Sequence, residues 1–150
     1  MISITMENEV STLEELYIAG LFEENFLEAD PRSSEYSFEL NLESCYNLLE
    51  AEMMKIIVIR DDTRPVGYFI YNIVPKDLFT KDCVASSICL YIKPEYRGGL
   101  LLTKVIQFAE KVAQEQGASV LHIALTPNTS SLERLGYNVD NIVYSKILGV

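Results

Sequence analysis

Residues 90–99 read Leu90-Tyr91-Ile92-Lys93-Pro94-Glu95-Tyr96-Arg97-Gly98-Gly99, and LLLTKVIQFAEKVAQEQ follows over residues 100–116. Pro94 has no N–H to give a ladder, so a strand arriving through Leu90-Tyr91-Ile92 ends there. The Arg-Gly-Gly tripeptide lets the backbone bend and approach a ligand closely. Beyond it, Leu102, Val105, Ile106, Ala109, Val112 and Ala113 recur at helical spacing, and Gly117 is a natural stop. The pattern predicts strand, tight turn and amphipathic helix. The first N–H groups of such a helix lack internal partners and suit a phosphate or pyrophosphate, with Arg97 adding a full charge beside them.

Working outward, residues 83–92 form the strand before the turn, and residues 119–125, with Val120, Leu121, Ile123 and Leu125, form the next one after the helix. A strand, a crossover helix and a second strand place the two strands in parallel as neighbours. Upstream, residues 56–59 and 65–74 read as a hairpin turning at residues 61–64, so the sheet is mixed. A short strand at residues 2–6 precedes two helices. The first, over residues 12–24, opens with a Ser11-Thr12-Leu13-Glu14 capping box. The second, over residues 41–52, starts from Asn41 as N-cap. The Asp30-Pro31-Arg32-Ser33-Ser34 stretch between them reads as a loop. After residue 125 a helical turn at 129–135 ends at Gly136, and residues 137–148 make a closing hairpin or bent strand turning at Asp140-Asn141. The fold class is mixed α/β.

Length and composition bound the function. A chain of 150 residues suits one domain with a sizeable core. Apolar runs are strand-length, well short of the roughly 20 residues that span a bilayer, and no secretory leader is readable, so a soluble cytoplasmic protein is expected. Cys45, Cys83 and Cys89 form no C-x-x-C pair and His122 is the sole histidine, which argues against a disulfide framework or a metal site. All three cysteines read as small buried hydrophobes, Cys89 as a nucleophile lacking an evident histidine partner, and His122 as a core or edge histidine in its strand in preference to a base. The net charge of −10 argues against a nucleic-acid partner. The acid is concentrated: residues 1–54 hold one basic residue against thirteen acidic ones, a balance of −12. That surface serves solubility, or forms a vestibule for a cationic substrate.

The order of elements, together with Ile92-Lys93-Pro94-Glu95-Tyr96-Arg97-Gly98-Gly99 and Leu132-Glu133-Arg134-Leu135-Gly136-Tyr137, resembles the GNAT superfamily of N-acyltransferases over nearly the whole chain. Small divergent members of this kind also resemble those encoded by tailed phages. The resemblance implies that acetyl-CoA is the co-substrate and that two parallel strands splay to admit its pantetheine. Strand-end contacts would come from Leu90, Tyr91 and Ile92, and phosphate contacts from Arg97, Gly98, Gly99, Leu100, Leu101, Leu102 and Thr103. It also implies a primary amine as acceptor, small or peptidic, with the acidic helices favouring a cationic one. Leu100 and Leu102 stand where the family's phosphate loop has Gly and Gly or Ala. Leu132 stands where the family often has a tyrosine acid, and residues 85–89 contain no acidic base. Asp82, acting through water, and Tyr144 on the closing strand are then the default acid–base candidates. Their structural readings are a strand-flanking polar residue and a half-buried aromatic. The competing function is a non-catalytic module that keeps the fold as an interaction or structural surface. The closing strand's free edge offers a route to a homodimer.

Overall fold

The structure, a computed structural model, describes residues 1–76, 78, 79, 81–125, 132–140 and 142–148. Strands β1 (Ile2–Met6), β2 (Met54–Asp61), β3 (Arg64–Val74), β4 (Cys83–Ile92) and β5 (Ala118–His122) form one sheet in the order β1-β2-β3-β4-β5. Every neighbouring pair is antiparallel except β4 and β5, which are parallel as the crossover required. Helix α4 (Leu101–Glu115) makes that crossover.

On the N-terminal side three α-helices form where two were expected: α1 (Val10–Ile18), α2 (Leu21–Ala29) and α3 (Leu42–Glu50). Gly20 divides the first predicted helix, because its φ of +79° lies in the left-handed region and redirects the chain. The capping box does not form. Helix α1 starts one residue before Ser11, whose hydroxyl bonds to Glu9 Oε2 at 3.3 Å instead. Asn41 does cap α3, its Oδ1 accepting from the Ser44 amide at 3.0 Å.

Alternation along the central strands splits the core in two. Ile57, Ile59, Phe69, Tyr71 and Ala85 face one way and pack on Val105, Ala109 and Ala113 of α4. Ile56, Val58, Tyr68 and Ile70 face the other and pack on Leu13 and Leu16 of α1 and Leu21 and Phe22 of α2. With both faces covered, β2 and β3 read as continuous apolar runs rather than alternating ones. Each such fully buried aliphatic side chain contributes about 1.5–3 kcal/mol of burial.

Part of the N-terminal acid is spent on holding these layers together. The Arg60 guanidinium on β2 bonds to both carboxylate oxygens of Glu15 at 2.8 and 2.7 Å, to both of Glu7 at 3.2 Å, and to the Thr63 carbonyl at 2.9 Å. Every N–H of the guanidinium thus has an acceptor. The two carboxylates hold it charged far above the ordinary arginine value, and it in turn holds Glu15 below the usual carboxylate range.

The C-terminal region differs from expectation. A single 3-10 turn spans Glu133–Leu135 and ends at Gly136, while residues 126–131, which include the start of the predicted helical turn, lie outside the described residues. Among the described residues of 137–148 no strand forms, and Asn141 of the expected turn lies outside them. Tyr137 instead leans on α4, donating its hydroxyl to Glu110 Oε1 at 2.8 Å. The edge on which a strand-paired dimer was expected is therefore not formed by this segment.

Candidate active site

Among the described residues β5 pairs along its whole length, but only with the first part of β4. Register runs from Cys83 opposite Ala118 to Ser86 opposite His122, and β5 ends there while β4 continues six residues to Ile92. Across the start of the gap the Ser87 hydroxyl accepts from the Ala124 amide at 2.8 Å. A fork follows. The Lys93 amide donates to Val66 of β3 at 2.9 Å, so backbone alternation turns the N–H and C=O groups of Leu90 and Ile92 away from β3, toward the fork. Tyr91 lies between them with its ring on the opposite face, 5% exposed.

The other side of β4 is pressed tightly against β3. A Cβ built on Gly67 would lie 2.6 Å from the Tyr91 carbonyl oxygen and 3.1 Å from Ile92 Cα. Only glycine permits that approach.

At the end of the fork the chain makes a 3-10 turn, Pro94–Tyr96, and enters α4 through Arg97-Gly98-Gly99-Leu100. The Tyr96 hydroxyl fixes the turn, donating to Asp61 Oδ2 at 2.8 Å and accepting from Arg64 at 2.9 Å. Gly98 has a φ of +91°, and nothing lies within 4 Å of a Cβ placed on it or on Gly99. The Leu100 side chain is 69% exposed, while Leu101 and Leu102 pack down against the α4 core. The leucines therefore rim the turn without filling it. Among the described residues the amides of Leu101, Leu102 and Thr103 have no partner, as a helix start requires. The fork, the roomy Gly98-Gly99 turn and these free amides fit the diphosphate and pantetheine of a CoA thioester.

Arg97 is already engaged. Its Nε donates to the Ile92 carbonyl at 2.6 Å, its guanidinium reaches Glu28 Oε2 at 2.8 Å, and it sits over the Tyr91 ring at 5.4 Å. Glu24, one turn earlier on α2, accepts from the Tyr91 hydroxyl at 3.0 Å and lies 3.5 Å from Lys93 Nζ. Burial and Glu24 push the Tyr91 phenol up to about 12. Cys89 is likewise pushed up to about 12, by burial, so its thiol is no nucleophile at neutral pH.

Neither default acid–base candidate lies on β4 or β5, the strands that part at the fork. Asp82 is exposed just before β4, four residues and roughly 13 Å of strand short of Ser86. Tyr144 is 89% exposed in a segment without strand structure, not half-buried on one.

A different set converges there. A bulge in β4 at Ile88, between the Ile70–Cys89 and Tyr71–Ser87 pairs, switches the strand's facing, so that Ser86 stands opposite Asn72 on the side of the sheet that carries α1 to α3. Leu121 and Ile123 pack into the α4 core, which turns His122 to the same side as Ser86. Ser86 Oγ and His122 Nδ1 are 3.4 Å apart, and His122 Nε2 is 3.7 Å from Asp140 Oδ2. The Asn72 Oδ1 is buried without a hydrogen-bond partner among the described residues. Sequence reading missed this row because Asn72, Ser86 and His122 are far apart in the chain and the bulge that aligns them leaves no motif.

On the helix side, a cleft of about 730 Å³ lies between the α2–α3 connection and residues 145–148, lined by Phe26, Tyr36, Phe38, Asp30 and Glu39 among others. Asp30 is neutralised within it by Arg32, at 2.7 Å.

Comparison with known proteins agrees with this geometry. No curated protein matches by sequence. The ribosomal-protein-alanine N-acetyltransferase of Brucella melitensis biovar Abortus 2308 superposes with a TM-score of 0.68 at 19% identity, covering 99% of this chain and 100% of that one. An aminoglycoside acetyltransferase from an uncultured soil metagenomic sample, solved with sisomicin, gives 0.69 at 14% identity and 97% of each chain. A predicted acetyltransferase from Clostridium acetobutylicum, solved with acetyl-CoA, gives 0.74 at 9% identity, with 99% and 97% covered. At these identities the likeness is one of fold. The sequence itself matches the acetyltransferase (GNAT) family over residues 14–137, more than half of its length, and with the forked sheet and the crossover turn already in view, it is to that family that the chain belongs.

Proposed function

We propose that this protein transfers an acetyl group from acetyl-CoA to the primary amine of a cationic small-molecule or peptide acceptor in the cytoplasm. The observation that carries the reading is the parting of β4 from β5 beside the unpartnered amides of Leu101, Leu102 and Thr103. When bound, the thioester supplies an electrophilic carbonyl. The chain's part is to seat the diphosphate on the α4 amides, to pair the outward backbone of Leu90 and the Ile92 amide with the pantetheine, and to hold the amine against the fork. The acidic N-terminal third favours a cationic acceptor. The solved relative bound to sisomicin, an amine-rich ligand, supports the same class.

The test is calorimetric titration with acetyl-CoA, followed by release of free thiol in the presence of sisomicin or a peptide with N-terminal alanine. Binding with turnover is expected. A second reading, a non-catalytic interaction module, is favoured by the engagement of Arg97 with Glu28 and by Leu132 in the tyrosine position. Absence of any acetyl-CoA binding at millimolar ligand would leave that module as the surviving reading.

A further inference from the structure

We propose that Asn72, Ser86 and His122 form the seat of the acceptor's amine, and that His122 is the base that takes its proton; this rests on the transferase reading above. The three residues occupy registered positions on adjacent strands, Asn72 opposite Ser86 on β3 and β4, and Ser86 opposite His122 on β4 and β5. Successive strands are about 4.8 Å apart, so the short serine between two longer side chains makes a notch with a polar floor. It sits where β4 and β5 part, on the face of the sheet that carries α1 to α3.

Each member is suited to an ammonium. A buried carbonyl oxygen without a donor is rare, and among the described residues Asn72 Oδ1 is one. An ammonium N–H supplies what it lacks. The His122 side chain is 49% exposed at the last position of β5, open to an incoming ligand rather than sealed in the core. Asp140 beside Nε2 favours the N–H on that nitrogen, leaving the Nδ1 lone pair on the side of Ser86. Separations of 3.4 and 3.7 Å are long for hydrogen bonds, as is common before a substrate is bound.

In the step this implies, His122 Nδ1 takes one proton from the acceptor's ammonium. The freed nitrogen lone pair attacks the thioester carbonyl. A C–N bond forms, the C–S bond breaks, the departing sulfur takes the second nitrogen proton, and the imidazolium returns its proton to solvent. Asn72 and Ser86 are positioning residues in this scheme.

Because the chain has a single histidine, the imidazole ¹⁵N resonances of the full-length protein report His122 alone. Titration with sisomicin, and separately with an N-terminal alanine peptide, should move them to saturation with at least one of the two amines, and Asn72→Ala should require several-fold more of that amine. His122→Ala, and His122→Gln as a second variant, should lower kcat at least tenfold with the Kd for acetyl-CoA unchanged, and added imidazole should restore part of the activity of the alanine variant. Wild-type turnover in both variants, with the resonances unmoved, overturns the seat while leaving the transferase reading in place. A wild-type protein that consumes no acetyl-CoA with either amine defeats the transferase reading instead. In that case the resonances decide the seat alone: movement keeps it as an ammonium site, and stillness removes it.

Discussion

Glu28 of α2 holds Arg97 at 2.8 Å, so a carboxylate occupies the charge that the sequence reserves for a phosphate. The pair is about half exposed on both sides and weak, worth roughly 0.2–1 kcal/mol. Glu28→Gln should therefore tighten CoA binding by roughly two- to fivefold at low ionic strength, by the same margin. Arg97→Ala should weaken it. Calorimetry on both variants checks this, and a weaker-binding Glu28→Gln protein would show that the pair organises the turn instead of competing with the ligand.

Gly98 has its φ of +91° in open space, so a side chain there meets a torsional penalty and no steric one. Gly98→Val should lower stability by about 1–2 kcal/mol, on the order of 2–8 °C in melting temperature for a chain of this size. The reoriented amides should bind CoA more weakly than this loss of stability alone accounts for. Unchanged CoA affinity would mean that the turn does not shape the ligand's seat.

Gly67 is the opposite case, because its backbone is unremarkable and space is what is missing. Gly67→Ala brings a methyl group within 2.6 Å of the Tyr91 carbonyl and should destabilise the protein by about 1–3 kcal/mol through forced separation of β3 and β4. Denaturant melts measure it. A midpoint equal to wild type would contradict the close approach.

Arg60→Ala should cost about 1–3 kcal/mol, because it leaves the Glu7 and Glu15 carboxylates facing one another. The acid side follows from sign. Arg60 holds the folded-state pKa of Glu15 below its unfolded value, so the contribution is complete above the unfolded value, roughly pH 4–5, and is lost as pH falls through the lower folded one. Wild-type melting temperature should drop across that window more steeply than that of Arg60→Ala. Parallel curves would count against the linkage.

Much of this fold was legible because its signals are local. Pro94, the Gly98-Gly99 turn and the α4 stripe announce the crossover within one window, and parallel pairing follows from the connection. Gly20 falls inside the helix that the sequence predicts over residues 12–24, since a left-handed φ cannot be told from an ordinary helical glycine in the sequence. The acid–base candidates show a related limit. Asp82 and Tyr144 stand out by position along expected strands, whereas Ser86 and His122 meet through a register that only the assembled sheet defines. The acidic helices illustrate a third limit: counting charge revealed the excess but not that Glu7, Glu15, Glu24 and Glu28 each have a basic partner on the sheet or at the turn.

Ile88 is an extra residue in β4, with no partner of its own on β3. It gives β4 two phases, so that Cys89 and Tyr91 on one side of the insertion and Ser86 on the other share a surface that strict alternation would have denied them. Pairing Ile88 regularly with Tyr71 would instead set Ser86 opposite Ile73, turn it to the other surface and break the row with Asn72 and His122, though every side chain in it stayed the same. The chemistry offered by this molecule is thus set by how its residues are paired as much as by their kinds.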